Sequence, residues 1–423
     1  MSDMKEENVS DFEKKVEEKV RGIKGKYRII SSPLIYPEID DKRVLDTFEN
    51  LKYLMGHFKA EIKYNLMSRH REITIPGHDL FLDDIDNSAL DQIHYLATLN
   101  FMPTNRLDNH LNVLAYKNPY HPIIKFLNEN VWDGNPRLDK FISTIKTENN
   151  ELAYALIKRW MIAAIAAAHS ERGFINQGVL VIQGAQGIGK TMWVKSLDPI
   201  GCNAVKEGAI LDPANKDNVI LLARHWIVEL GELDATFNKS DIARLKSFIT
   251  MQSDDVRFPY AVKGSKLPRR TAYIATVNDE KFLADDTGNR RWWTITAKEI
   301  ELNHGIDIGQ VWAEVYCLWI SGSLPYLSKD EQLKVNKENL EHEKVDPLKE
   351  MLLDKYNWTS DLRRYLSSTK VLEELGFNRP SRSEATKMGN LLKELSNNDS
   401  KVKDGYRLYA VPHLIKNFES YIS

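Results

Sequence analysis

Apolar positions change period several times along the chain, and the changes divide it. Phe12, Val16, Val20 and Ile23 recur at roughly helical spacing in a highly charged opening segment that runs to about Tyr27, which predicts one exposed helix or a frayed tail. Thr47 to Ile62 reads as helix, and Glu72 to Ile75 as a short strand ended by Pro76-Gly77. Turn dipeptides at Asn118-Pro119, Asp133-Gly134 and Asn135-Pro136 separate short apolar helices. Leu152 to His169 has the alanine-rich pattern of a long buried helix. From Gly178 to about Thr296 apolar runs alternate with helical stretches, which predicts a mostly parallel sheet flanked by helices. Leu302 to Leu324 turns helical again, with Trp312, Val315, Tyr316 and Trp319 on one face. Lys329 to Lys349 is charged and is the best linker candidate.

The segment from Asp346 to Ser423 has its own order. Ser368 is placed to cap a helix over Thr369–Leu375 that Gly376 ends, and Ser383 to Leu395 is a second amphipathic helix carrying Lys387 and Lys393. Lys401 to Pro412 then gives two alternating runs joined by Asp404-Gly405, a favoured two-residue hairpin turn. Helix, helix, hairpin is the order of a winged helix, a DNA-binding module; a small packing or oligomerisation module fits the same pattern. The patterns together predict an α+β region over 1–115, an α/β unit with a helical lead-in over 116–330, and a winged-helix-like domain over 346–423.

Composition narrows the class. A chain of 423 residues exceeds one ordinary domain, and 42% hydrophobic with 28% charged residues is a globular balance. A formal net charge of −2 means that nucleic acid, if bound, meets a local basic surface. The two cysteines, Cys202 and Cys317, form no CxxC or Cys/His cluster, so neither zinc nor a disulfide framework is expected, and a reducing, cytoplasmic setting fits. The N-terminus lacks an apolar signal core, and the longest apolar stretch, Trp160 to Ala168, is too short to span a bilayer; no membrane is expected.

The chemistry concentrates after Val179-Leu180-Val181-Ile182. There Gly184-Ala185-Gln186-Gly187-Ile188-Gly189-Lys190-Thr191 matches the phosphate-loop pattern GxxxxGK[ST] between a strand and a helix. Its glycines let backbone N–H groups converge on phosphate oxygens; Lys190 is expected to reach the β- and γ-phosphates of ATP, and Thr191 to ligate Mg2+. Trp226-Ile227-Val228 is the next strong strand, ending at Glu229, with Glu232 three residues on. Glu229 is assigned the metal and Glu232 the attacking water, with the reverse left open. A further strand, Ala272 to Val277, ends in Asn278, whose amide suits the γ-phosphate and the water.

Between those strands Arg257, Lys263, Lys266, Arg269 and Arg270 cluster with Phe258 and Tyr260 around a hairpin tip at Val262-Lys263-Gly264-Ser265. Cations for phosphates and aromatics for bases suit a single strand; a solvated hairpin is the plainer explanation. Arg290 and Arg291 precede another apolar strand, as an arginine finger or as a structural pair stacked on Trp292 or Trp293. Asp84-Ile85-Asp86 has the bare spacing of a polymerase carboxylate pair, but no second acidic strand supports it, and a loop or helix start is expected.

Asn118-Pro119-Tyr120-His121-Pro122 through Trp132-Asp133-Gly134, the phosphate loop with Trp226-Ile227-Val228-Glu229-Leu230-Gly231-Glu232-Leu233, and Gly288-Asn289-Arg290-Arg291-Trp292 resemble the virulence-associated protein E family of phages and mobile islands, over roughly Asn118 to Leu324. That family looks like part of the superfamily 3 helicase group within the AAA+ ATPases. The resemblance implies a ring-forming AAA+ module, a homo-hexamer with sites at subunit interfaces. It implies a hairpin around Lys263 that tracks DNA in the central channel, Asn278 as first sensor, and Arg290 or Arg291 as the finger acting in trans. It also implies a C-terminal winged helix of the kind that binds origin DNA in related initiators. The chain departs from the commonest pattern of adjacent acids, which leaves the roles of Glu229 and Glu232 open. No primase activity is carried over. The expected function is an ATP-hydrolysing DNA helicase or replication initiator translocating on single-stranded DNA. The second reading is an ATP-gated DNA- or protein-binding module that regulates replication without unwinding. A small-molecule kinase would leave Asn278 and the paired arginines without a task.

Overall fold

A computed structural model of the chain describes residues 38–40, 43–77, 84–231, 245, 247–256, 264–283, 289–343 and 346–415. One compact unit runs through Asp279 and resumes over Arg290–Asn336; the second comprises Glu280–Asn289 and the chain from Lys337.

Among the described residues, the first unit opens with β1 (Ile39–Asp40) antiparallel to β2 (Arg43–Val44). The helix Phe48–His57 starts where Thr47 Oγ1 accepts from the Asn50 N–H. It is shorter than the pattern predicts. The chain passes through a left-handed residue at Lys59 (φ +54°), and Glu61–Asn65 forms a strand, β3. β3 pairs antiparallel with β4 (His70–Thr74) and parallel with β5 (Pro119–Tyr120). The helices Ile85–Leu99 and Leu107–Tyr116 bury Ile93, Leu96, Leu107 and Leu111 with Ile62 and Ile73 of this sheet. Asp84 and Asp86 sit at the start of the first of these helices, where carboxylates favour the N-terminal dipole. They are a helix start, as the sequence reading expects.

The larger sheet of the first unit has six strands. β6 (Ile145–Thr147), β7 (Val179–Gln183), β8 (Val205–Ala209), β9 (Ile227–Leu230), β12 (Ala272–Val277) and β13 (Trp292–Ile300) lie in the order β6-β13-β7-β12-β9-β8. All neighbours are parallel except β6, which is antiparallel to β13. β10 (Ser253–Val256) and β11 (Ser265–Pro268) form a separate antiparallel hairpin.

The helix Asn150–His169 packs against this sheet and buries Leu156, Ile157, Trp160 and Ile165. It is long and apolar enough to cross a bilayer by composition alone, and two-thirds of it lies inside the protein, the environment that an all-round apolar helix needs. Three buried tryptophans fasten the layers with satisfied N–H groups. Trp160 donates to the Tyr273 carbonyl (2.7 Å), Trp226 to that of Ala164 (2.8 Å) and Trp312 to that of Leu197 (2.9 Å). Trp312 and Val315 are buried on the helix Ile308–Ile320, while Tyr316 and Trp319 are half-buried, Tyr316 stacked on His169 and Trp319 tilted against it. The charged stretch read as a linker is instead a helix, Lys329–Glu341, capped reciprocally by Ser328 and Glu331.

In the second unit a helix, Pro347–Lys355, precedes β14 (Arg363–Ser367). A helix then runs over Ser368–Glu374, its cap at Ser367, one residue before the position expected from sequence. Gly376 takes φ +102° just beyond it. The helix Arg382–Leu395 carries a capping box from Ser381 and Glu384. β15 (Ser400–Lys403) and β16 (Tyr406–Pro412) meet across Asp404 (φ +52°) and Gly405 (φ +80°), both left-handed as a tight hairpin requires. The sheet order is β14-β16-β15, over a core of Leu352, Val371, Leu372, Met388, Leu392 and Val411.

Candidate active site

β7 is buried along its whole length, and at the loop that leaves its C-terminal end the Gly184 N–H donates to the Val277 carbonyl (3.1 Å). Two glycines there have no substitute. A Cβ at Gly184 would lie 2.4 Å from the Ala297 carbonyl oxygen, and one at Gly189, at φ +96°, would lie 2.9 Å from Leu302 Cδ1. Lys190 then opens the helix Lys190–Lys195. Its ammonium is buried and donates to the carbonyls of Gly184 (2.7 Å) and Ala185 (2.8 Å) and to Asn278 Oδ1 (2.9 Å). Sheet register delivers the asparagine. β12 is the direct neighbour of β7 with Val277 opposite Gln183, so the residue after β12 emerges beside the start of the loop.

Glu229 lies on β9, across β12 from the loop, and is fully buried. A buried carboxylate is costly unless its oxygens are bonded. Here Oε1 accepts from Thr191 Oγ1 (2.7 Å) and Thr276 Oγ1 (2.8 Å), and Oε2 from the Gly208 N–H (3.1 Å). Sequence reasoning missed Thr276 and Gly208. Thr276 had a signal: it is a polar residue inside an apolar strand, two positions before Asn278 and so on the same face. Gly208 sits at φ +56° where the register of β8 shifts, the habit of a glycine in a strand.

Thus Lys190, Thr191, Glu229 and Asn278 come together as expected. Gly184, Gln186, Gly187, Ile188 and Gly189 form the loop in front of them, with Gln186 and Gly187 exposed. Thr191 and Glu229 offer two hard oxygens side by side, a donor set suited to Mg2+ completed by water and phosphate oxygens. No group of three or more His, Cys, Asp or Glu that could hold a metal occurs among the described residues.

Other expected residues stand elsewhere. Glu232, Arg257 and Lys263 lie outside the described residues. Lys266 is exposed on β11, opposite Asp255. Arg269 requires a correction, because it is buried and is no surface contact for a strand. Its guanidinium grips both oxygens of buried Asp254, bonds the Phe248 carbonyl and lies 3.6 Å over the Phe248 ring. A guanidinium so enclosed holds the base of the β10–β11 hairpin. Arg290 and Arg291 form a 3-10 turn ahead of β13. Trp292 pairs with Val179, at the start of β7, whereas the phosphate-type loop follows its end, roughly 15 Å further along. Neither arginine is brought to the Lys190 cluster of its own chain. Exposed Arg290 instead lines a cavity of about 400 Å³ with Gln177, Trp293, Tyr326 and Gln332.

Overall superposition matches solved structures of the NrS-1 C-terminal region. An apo structure of that region shares 14% identity, covering 86% of this chain and 98% of that one at a TM-score of 0.44. An A-form apo structure shares 13%, covering 85% and 98% at 0.45. No curated protein matches the chain. Residues 127–344, just over half of the chain, match the virulence-associated protein E-like domain. The chain belongs to the virulence-associated protein E-like family.

Proposed function

We propose that the chain is an ATP-hydrolysing DNA translocase, a helicase or replication initiator of a phage or mobile element. The observation that carries this reading is the convergence of Lys190, Thr191, Glu229 and Asn278 at one end of three adjacent parallel strands. β12 stands between the loop-bearing β7 and the acid-bearing β9, an arrangement consistent with the AAA+ group that the sequence resembles. Thr191 and Glu229 would hold Mg2+, which supplies charge neutralisation on the phosphates. Lys190 would exchange the Gly184 and Ala185 carbonyls for phosphate oxygens, and Asn278 would orient the attacking water. Arg290 and Arg291, set at the opposite end of the strands from their own loop, suit a finger that reaches a neighbouring subunit in a ring. The second unit has the helix–strand–helix–helix–hairpin order of a winged helix, which suits origin DNA.

The test is the ATPase rate of the full chain with and without single-stranded DNA, against Lys190→Ala. Stimulation by DNA, absent in Lys190→Ala, is the expected result. Hydrolysis indifferent to DNA would replace the translocase with an ATP-gated binder, and no rate above the Lys190→Ala blank would remove the enzyme.

A further inference from the structure

Three arginines lie near one another at the end of the large sheet opposite the Lys190 cluster. Arg224 precedes β9 and Arg270 precedes β12, while Arg69 reaches across from the turn between β3 and β4. Arg69 Nη2 donates to the Pro268 carbonyl (2.7 Å) and Arg270 Nε to that of Ser170 (3.0 Å). The Nε of Arg224 is buried without a hydrogen-bond partner. Arg69 holds a left-handed conformation (φ +60°) in a turn fixed by Asn65, whose side-chain oxygen accepts from the Met67 and Ser68 N–H groups. A bulky residue keeps such a backbone only where its surroundings impose it.

Positive charge here exceeds its neutralisation. Asp254, a carboxylate near Arg69, is already gripped by Arg269, and Glu171, near Arg270, is exposed. Burial and the Arg270 charge push Arg69 down to about 10. His121, almost fully buried beside Arg270, His169 and Arg69, has no hydrogen-bond partner on either ring nitrogen. Half-buried guanidinium groups in mutual repulsion are stabilised by an anion, and their planar forks match phosphate oxygens. Tyr64 lies beside all three arginines, and Tyr116 packs edge-on against it at 5.0 Å while remaining 62% exposed. An open aromatic face next to grouped cations is the combination that holds a single strand.

We propose that Arg69, Arg224 and Arg270 form a docking site for the phosphodiester backbone of a single-stranded nucleic acid, with Tyr116 positioned to stack on a base. The site rests on the reading that the chain handles a nucleic-acid strand, and it adds a contact remote from the nucleotide loop and independent of ATP.

The experiment titrates a labelled oligothymidylate into the full chain without nucleotide, over a series of salt concentrations. Arg224→Gln removes no hydrogen bond seen in the structure, and a thermal melt checks that it stays folded. It is expected to weaken binding roughly tenfold and to lower the slope of log K against log salt by about 0.7, one single-strand phosphate contact. Tyr116→Ala should weaken binding by a similar factor with the slope unchanged, and Lys190→Ala should bind like wild type. An Arg224→Gln/Arg270→Gln variant, folded and binding with wild-type affinity and slope, sinks the site and leaves the translocase reading intact. A wild type that binds no strand sinks both. If inorganic phosphate raises the melting temperature of wild type but not of Arg224→Gln, while strand affinity is equal in the two, the cluster holds a free anion and the strand assignment is overturned.

Discussion

Lys190 and Asn278 lie 88 residues apart in sequence, yet the lysine ammonium donates to the asparagine side chain over 2.9 Å. The contact joins a loop that leaves β7 to the residue that ends β12. It depends on the parallel register of two strands, which no local pattern encodes. Asn278→Ala should leave Lys190 with its two loop carbonyls, and so leave ATP binding within a few-fold of wild type. Hydrolysis should fall by about two orders of magnitude, the usual loss for one polar group that acts on the reacting phosphate. Parallel measurements of nucleotide affinity and kcat separate the two effects.

Thr276→Val tests how Glu229 is held. The substitution preserves shape and removes one of three donors to a fully buried carboxylate. A loss of about 1–3 kcal/mol in urea unfolding is expected. Thr191 remains to share a metal with Glu229, so the Mg2+ concentration for half-maximal hydrolysis should shift far less than in Glu229→Gln.

The loop glycines separate by space. Gly184→Ala would drive a methyl group against the Ala297 backbone and should abolish hydrolysis. Gly187 has φ +85° and open space around its Cβ position, so Gly187→Ala should cost only about 1 kcal/mol of backbone strain. Melting curves and ATPase rates of the two variants, measured side by side, would give equal losses if packing were irrelevant.

Arg269→Ala should unfold the protein more easily by roughly 3–5 kcal/mol, because it strands the buried Asp254 carboxylate. Asp254→Leu in the same chain should recover much of the loss. Strand affinity of the folded double variant is expected to match wild type, which a direct DNA contact would not allow.

His121 gives the fold an acid limit. Burial, with the Arg270 charge next, pushes its ring down to about 3. The folded state therefore binds fewer protons than the unfolded state, where the ring titrates near 6.5. Its contribution is complete above that value and is lost as pH falls from about 6.5 toward 3, by up to about 1.4 kcal/mol per pH unit. His169 and His225, also lowered by burial, act in the same direction. Urea midpoints between neutral and mildly acid pH should fall less steeply in His121→Asn.

What the sequence made legible was contiguous. The loop from Gly184 to Thr191, the acid at the end of β9 and the amide after β12 each announce themselves within a few residues. Thr276 and Gly208 acquire meaning only when β12 and β8 are laid beside β9. Arg269 was grouped with the surface cations because charge does not disclose depth, and its partner Asp254 lies in another strand of the hairpin. The stretch over 329–341 looks like a linker by charge, yet lysine and glutamate are good helix formers and Ser328 supplies the cap. β14 is hard to read from sequence because two arginines interrupt its alternation, and the Arg364 partner, Glu374, lies on the next helix.

β12 touches both halves of the Lys190 cluster: Asn278 meets the lysine on one side, and Thr276 meets the Glu229 carboxylate on the other. Only Arg269, Arg270 and Thr271 separate this strand from β11, and Arg269 is clamped to Asp254 on the opposite arm of the hairpin. The hairpin is thus tied to β12 by three residues, and a load along it would bear on the partners of the lysine and of the carboxylate together rather than one at a time.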